Sequence, residues 1–200
     1  MSRASRRFPP ARQTVSTCLV DATQLYKRLA RSRLSQIVRA AELMTAALKA
    51  GRKIIWFGNG GSATQSQHMA AELVGRFAAE RRALPSISLT ENIASVTAIA
   101  NDYAYETIFA RQLEGLAQGG DVAVGLSTSG SSPNVLAGLR KAKELGLRTV
   151  GLTGGSGGKM PAACEVCIVV PSSVTARIQE AHLTIGHIVC GLIEQALFVK

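Results

Sequence analysis

The chain has 200 residues, of which 46% are hydrophobic and 18% are charged, a balance that favours a globular fold over a disordered chain. No uninterrupted apolar run reaches the ~18–20 residues that a membrane span requires. The N-terminal MSRASRRFPPARQ lacks the apolar segment of a secretory signal. We therefore expect a cytoplasmic protein that makes no contact with a membrane and has one domain, or two at most.

The formal net charge of +10 is concentrated in residues 1–39, which contain nine Lys or Arg residues and a single acid, Asp21. A basic arm of this kind can bind nucleic acid or an acidic partner surface. It can also be a solvated tail followed by the basic face of a helix. No aromatic-rich sheet motif or zinc-finger spacing supports nucleic-acid binding, so the second interpretation is favoured.

Hydrophobic patterning predicts five strands that alternate with helices after residue 53. Before them, residues 1–17 are expected to be an irregular, disordered extension, and a helical pattern free of Pro and Gly covers 21–50. The predicted strands are 53–57, 84–89, 121–126, 148–153 and 166–170, and the predicted helices that follow are 62–79, 92–100, 105–117, 133–145 and 176–198. This alternation predicts one doubly wound α/β domain over residues 18–200, with a parallel five-stranded sheet and an N-terminal helical arm.

Two loops that follow predicted strands are rich in Gly and Ser, namely GNGGS at 58–62 and STSGSS at 127–132. Ligands of doubly wound sheets bind beyond the carboxyl ends of the strands, where helix N-termini attract anions. Neither loop contains Lys or Arg, which suits a sugar phosphate better than a nucleoside triphosphate with magnesium. The alternatives are a plain tight turn for the first loop and an N-capping serine cluster, with Ser132 as the cap, for the second.

All three histidines lie in two polar segments, QHMAAELVGR and RIQEAHLTIGH. His68 and Glu72 are four residues apart on one predicted helix face with Arg76, so they can bind a divalent metal or form an exposed ladder of ion pairs. His187 lies between Gly186 and Ile188, so it is either a functional group or a buried core residue.

Cys164 and Cys167 form a CxxC motif within the β-branched run CEVCIVV. Residues three apart on a strand point to opposite faces, so we expect these thiols to be unable to hold one metal. A structural zinc site would also need a second pair of ligands. We therefore interpret both as core cysteines of a reducing compartment.

Six segments together resemble the sugar isomerase (SIS) fold and, within it, the bacterial phosphoheptose isomerases. In chain order they are GNGGSA, QHMAAELVGRF, AIANDY, LSTSGSSPNV, LTGGSGGKM and RIQEAHLTIGH. The resemblance covers about 20–198. It implies a homotetramer that binds one Zn²⁺ per subunit and converts D-sedoheptulose 7-phosphate into D-glycero-D-manno-heptose 7-phosphate, the first step toward activated heptose, as for lipopolysaccharide.

The same resemblance implies the residues of the site. It places the metal ligands at His68, Glu72, Gln179 and His187. It places the substrate contacts at Asn59, Gly60, Gly61, Ser62, Glu72, Asn101, Asp102, Ser127, Thr128, Ser129, Ser132 and Gln179.

The chemistry of an aldose–ketose isomerisation agrees with these residues, because a proton must move between C1 and C2 through an enediol. Glu72 is the expected base and His187 the expected partner that returns or shuttles a proton. Gln179 and His187 are about 12 Å apart along one helix. To bind one ion together, one of these side chains would have to reach far along the helix, or the ligands would have to come from two subunits. We therefore expect the site to lie at a subunit interface.

One departure from the family and two alternatives accompany this prediction. Many family members have Asp where this chain has Gln65, and a carboxylate there could orient a ligand imidazole. One alternative is a non-catalytic SIS-fold protein that binds a replication initiator, which the presence of His68, Glu72 and His187 disfavours. The other is an isomerase for another phosphosugar, since the acid–base residues do not determine the length of the sugar.

Overall fold

The structure of the protein is a computed structural model that describes residues 10–199. The predicted extension therefore lies outside the described residues for positions 1–9. The helix α1 (Ala11–Ser32) begins directly after Pro10, so the expectation of an irregular segment is wrong for 11–17. The predicted helix 21–50 is in fact the second part of α1 and α2 (Leu34–Lys49), separated at Arg33.

The remaining elements alternate as expected. The strands are β1 (Ile54–Gly58), β2 (Ser86–Ser88), β3 (Val122–Ser127), β4 (Arg148–Gly154) and β5 (Val166–Val170). The helices are α3 (Gly61–Val74), α4 (Ile93–Asp102), α5 (Ile108–Leu116), α6 (Pro133–Glu144), α7 (Met160–Ala163) and α8 (Thr175–Phe198), with a 3₁₀ turn at Tyr105–Thr107 before α5. The short α7, at the end of the predicted loop 154–160, was not predicted.

The sheet has the order β2-β1-β3-β4-β5, and every neighbouring pair of strands is parallel. This confirms the predicted α/β class and the number of strands. Strand β1 shows how both faces are covered: Ile54 and Trp56 pack with α2, α3 and α8, whereas Ile55 and Phe57 pack with α5 and α6. The chain leaves β1 toward β2 in one direction and leaves β3 toward β4 in the other, so the loops after β1 and β3 flank a topological switch point.

Helix α3 ends at Val74, five residues earlier than predicted. The reason is a buried carboxylate on α8. Glu194 accepts hydrogen bonds from the backbone N–H groups of Phe77, Ala78 and Ala79 at 2.8–2.9 Å. These amides are therefore satisfied outside a helix, and the chain turns away after Gly75.

Helix α8 is, among the described residues, the one helix whose length and mean hydropathy would suit a membrane span. Its side chains Ile178, Ile185 and Ile193 are instead buried in the core beneath the sheet. The same helix presents His187 to the site, so its apolar character is that of a core helix.

Candidate active site

Three side chains that the sequence analysis singled out converge between α3 and α8. His68 Nε2 lies 2.9 Å from Glu72 Oε1 and 3.0 Å from His187 Nε2, and His187 Nε2 lies 3.9 Å from the same Glu72 oxygen. The spacing of four residues puts His68 and Glu72 one turn apart on α3, as predicted. Arg76, one turn further, pairs with Glu80 rather than Glu72, so a continuous ladder of ion pairs does not form.

This cluster fits a zinc ion by its donor set and its spacing. The imidazole nitrogens and the carboxylate oxygen all lie within 4.8 Å of one another. Two ligands of a tetrahedral zinc ion with bonds of ~2.0–2.1 Å are about 3.3 Å apart, a value that the three observed separations bracket. All three residues belong to one chain, so a partner subunit is not needed to bring them together.

Gln179 occupies a different position from those three residues. Its side-chain amide lies against the backbone of Gly61 at the first turn of α3, where a β-carbon would collide with it. Its backbone carbonyl accepts a hydrogen bond of 2.5 Å from Gln65 Nε2. The predicted fourth ligand is thus held beside the first loop, two turns of α3 away from His68.

The first loop, GNGGS, brings the chain from β1 into α3 through a positive φ of 53° at Gly60. Such a conformation favours glycine and leaves the amides of the first turn of α3 free to face a ligand. Asn59 is held by a pair of hydrogen bonds of 2.8 Å with Asn134 of α6, and it also accepts one from the Tyr105 hydroxyl. Ser62 is buried behind the loop.

The second loop, STSGSS, groups three of the four predicted hydroxyl donors. Ser127 Oγ lies 2.8 Å from Ser132 Oγ and 3.4 Å from Ser129 Oγ. Ser132 occupies the N-cap position of α6, yet its hydroxyl bonds Ser127 instead of a backbone amide, so it does not cap the helix. Thr128 fixes the loop to the next strand because its carbonyl accepts from the Gly154 N–H.

Asn101 and Asp102 lie at the exposed end of α4 and bond one another at 2.9 Å. Within residues 10–199, no hydrogen bond joins either side chain to the two glycine-rich loops. Their predicted contact with substrate stays a prediction.

Comparison with known proteins identifies this arrangement. Residues 19–154 match the model of the SIS domain family. The chain is 53% identical over 160 residues to a phosphoheptose isomerase of Aquifex aeolicus, covering 80% of this chain and 84% of the relative. It is 48% identical over 184 residues to that of Pelobacter propionicus, covering 92% and 97%.

The chain belongs to the phosphoheptose isomerases of the SIS-domain family. It is an isomerase, as its residues predicted. Two solved structures agree: a phosphoheptose isomerase of Neisseria gonorrhoeae superposes with a TM-score of 0.89 at 36% identity over 93% of this chain and all of the other. One from Francisella tularensis gives 0.90 at 33% identity over 94% of this chain and all of the other.

In this phosphoheptose isomerase, the buried histidine is His182 and not His187. His187 stacks on Phe77 with ring centroids 5.5 Å apart, and about a third of its side chain is exposed. His182 is 1% exposed, and its Nε2 lies 3.2 Å from the Thr153 carbonyl. Burial, partly opposed by that hydrogen bond, lowers the pKa of His182 to about 4, so it is neutral at pH 7.

Gln65 faces the site from the turn of α3 that precedes His68. Its Oε1 atom is buried and has no hydrogen-bond partner among the described residues. Its Nε2 atom holds the backbone of Gln179. The Gln65 amide therefore joins α3 to α8, a role that a carboxylate could not play toward a carbonyl oxygen.

A buried ion pair that the sequence analysis missed supports the end of helix α3. Arg81 and Glu194 side chains are 0% and 3% exposed and are joined at 2.8 Å. Arg81 also donates to the backbone carbonyls of Glu72, Leu73 and Gly75 at 2.8–3.1 Å. The pair thus holds the end of α3, which carries Glu72, against α8, which carries His187.

Proposed function

We propose that this enzyme converts D-sedoheptulose 7-phosphate into D-glycero-D-manno-heptose 7-phosphate, the first step toward activated heptose. The observation that carries the proposal is the convergence of Glu72 and His187 from two separate helices, α3 and α8. Phosphoheptose isomerase is the name of both the curated relatives and the solved structures at the identities given above.

Glu72 is the base in the proposed reaction. Its carboxylate takes the proton from C1 of the ketose, which leaves an enediol, and a proton returned to C2 gives the aldose. About a fifth of the side chain is exposed, so the carboxylate faces open space between α3 and α8. His68, at 2.9 Å from the carboxylate, restrains its orientation.

His187 moves a proton between the oxygens on C1 and C2. Its Nε2 atom faces the same Glu72 oxygen, and stacking on Phe77 fixes the plane of the ring. An imidazole can both donate and accept a proton near neutral pH, which a shuttle between two oxygens requires.

A zinc ion fits among these groups, and His68, Glu72 and His187 would hold it. Gln179, the fourth ligand that the resemblance implies, is held beside Gly61 in this chain and does not belong to this cluster. When bound, zinc would supply Lewis-acid polarisation of the substrate's oxygens.

The two loops bind the other end of the substrate. Hydroxyls of Ser127, Thr128, Ser129 and Ser132, with the amides at the start of α6, are neutral donors that suit a phosphate monoester. Asn59 and the backbone at Gly60 and Gly61 line the approach between the loops. Holding the phosphate aligns C1 and C2 with the base and reduces the entropic cost of the reaction. Because Glu72 lies three turns of α3 beyond Gly61 in the same chain, the loops and the base would come from adjacent subunits of the proposed oligomer.

The replacement Ser129→Ala is expected to raise KM about tenfold with kcat nearly unchanged, because one donor to a charged phosphate is worth about 1.5 kcal/mol or more. Steady-state kinetics measure the effect. Ser131→Ala is the matched control, since Ser131 directs its hydroxyl to the Ser129 carbonyl. A large fall in kcat at constant KM would contradict a phosphate-binding role.

A cytoplasmic homotetramer with active sites at subunit interfaces completes the proposal. An apolar groove of about 490 Å³ between α2 and α8 supports it, as do the exposed Val15, Leu19 and Val20 of α1. Such surfaces are typical of protein interfaces. Active monomers on dilution would exclude the interfacial arrangement.

The experiment that tests the function is a conversion assay with sedoheptulose 7-phosphate, with added zinc and with chelator, beside pentulose and hexulose phosphates. Turnover of the seven-carbon ketose that falls on chelation and returns with zinc is the expected result. Preference for a shorter ketose would favour another phosphosugar as substrate. Absence of turnover with every ketose would favour a non-catalytic binding protein.

A further inference from the structure

The two thiols of the CxxC motif lie side by side, contrary to the expectation that they point to opposite faces. A β-carbon built on Gly151 of β4 would lie 2.7 Å from Cys164 Sγ and 3.4 Å from Cys167 Sγ. Strand β5 begins at Val166, so Cys164 precedes it and does not follow its alternation. The absence of a side chain at Gly151, which is paired with Cys167 in the sheet, leaves the space that both sulfurs share.

The surroundings of the pair are partly exposed. Cys167 borders a recess of about 320 Å³ at the sheet edge, which is also lined by Arg39 and Glu165. The Lys143 ammonium lies close by, bonded to the Ala162 carbonyl, and its charge favours the thiolate form of Cys164. Partial exposure of this kind is a condition for a thiol to react.

The two thiols differ from one another in acidity. A hydrogen bond from the Cys164 thiol lowers the pKa of Cys167, against the effect of burial. The same bond, together with burial, raises the pKa of Cys164 well above its ordinary value. Of the two residues, Cys167 also borders the recess, so it is the thiol that an oxidant reaches first, and Cys164 is the thiol that reacts second.

We propose that Cys164 and Cys167 form a redox-active dithiol that is oxidised to an intramolecular disulfide by low-molecular-weight disulfides. The Cys167 thiolate attacks one sulfur of the oxidant, forming a mixed disulfide and releasing one thiolate. Cys164 then loses its proton and attacks the Cys167 sulfur, which releases the second thiolate and closes the bond. Two electrons pass from the protein to the oxidant, which is reduced to two thiols.

The dithiol lies apart from the isomerase site. The motif is at the amino end of β5, whereas the glycine-rich loops follow the carboxyl ends of β1 and β3. Among the other cysteines, Cys18 is exposed on α1 and Cys190 is buried in α8. Burial raises the pKa of Cys190 to about 12, so it does not compete for the oxidant.

The test uses the full chain carrying Cys18→Ser, incubated with oxidised glutathione and analysed by intact mass and peptide mapping. The expected product has lost two hydrogens, has no attached glutathione and contains the linkage between Cys164 and Cys167. With Cys164→Ser added, a stable glutathione adduct forms on Cys167. With Cys167→Ser instead, Cys164 reacts at least about tenfold more slowly, because it does not border the recess through which the oxidant enters.

Reduction with dithiothreitol should restore the original mass, and both serine variants should keep the isomerase activity of the parent. Two free thiols that remain unmodified in oxidised glutathione would overturn the proposal, as would a disulfide that joins either residue to Cys190. Equal reactivity of the two single variants would overturn the assignment of Cys167 as nucleophile.

Discussion

Replacing Glu72 by Gln is expected to lower kcat by about 10²–10⁴-fold while the protein stays folded, because general-base catalysis contributes rate factors of that size. Gln has the shape of Glu but cannot accept a proton. The side chain is partly exposed and its charge contacts His68 and His187 rather than the core, so the fold does not depend on it. Rates with sedoheptulose 7-phosphate, with circular dichroism on the same samples, measure both effects.

Glu80→Gln is the matched control for this prediction. Its carboxylate is 90% exposed, lies beyond the end of α3 and pairs with Arg76 at 3.8 Å, so its loss should leave kcat unchanged. Zinc content must be measured in both variants, since Glu72 is also a proposed ligand. A Glu72→Gln enzyme that keeps most of its activity would show that another group removes the proton.

The second large effect is expected from the buried pair of Arg81 and Glu194. Glu194→Gln should lower the free energy of unfolding by about 3–5 kcal/mol, the range observed when one partner of a buried pair is removed. Urea unfolding measures this loss. Arg81→Lys should not preserve stability, because one ammonium cannot replace the Nε, Nη1 and Nη2 groups that bond Glu194 and the end of α3.

The exposed pair Arg39–Glu42 provides the control, with side chains 56% and 59% exposed and 3.5 Å between the charged groups. Glu42→Gln should change the free energy of unfolding by less than about 1 kcal/mol. Similar small losses at both sites would contradict the structural role given to Arg81 and Glu194.

The buried pair of Arg81 and Glu194 also predicts how the stability of the protein depends on pH. Burial would raise the pKa of Glu194, but the amides of Phe77, Ala78 and Ala79 and the Arg81 guanidinium outweigh it and lower the value from 4.5 to about 2. A depressed carboxyl pKa stabilises the fold above the unfolded value, and this contribution is lost as the pH falls from about 4.5 toward 2. The loss of stability of the wild type over this interval should be steeper than that of Glu194→Gln.

The sequence predicted the sheet well because buried parallel strands are continuous apolar runs between turn residues. KIIWF and VCIVV are examples, and the strand at 166–170 has the predicted bounds. The sequence also predicted that the His68 and Glu72 side chains lie close together, since they are four residues apart on one helix. The expectation that His187 joins them came from family resemblance, and the structure confirms their proximity.

Features that depend on contacts distant in the chain were not predictable in this way. The early end of α3 depends on Glu194, more than a hundred residues later. The approach of the two thiols depends on where β5 begins and on the absence of a side chain at Gly151. The choice between His182 and His187 as the buried histidine depends on which face of α8 meets the sheet, and the residues directly beside each histidine do not decide it.

The most direct test is a crystal structure of Glu72→Gln with sedoheptulose 7-phosphate bound. The proposed function predicts the phosphate at the loop 127–132, with C1 and C2 of the ketose beside residue 72 and within hydrogen-bonding reach of His187. A ketose bound with its phosphate toward His187, or with C1 and C2 remote from both residues, would contradict it.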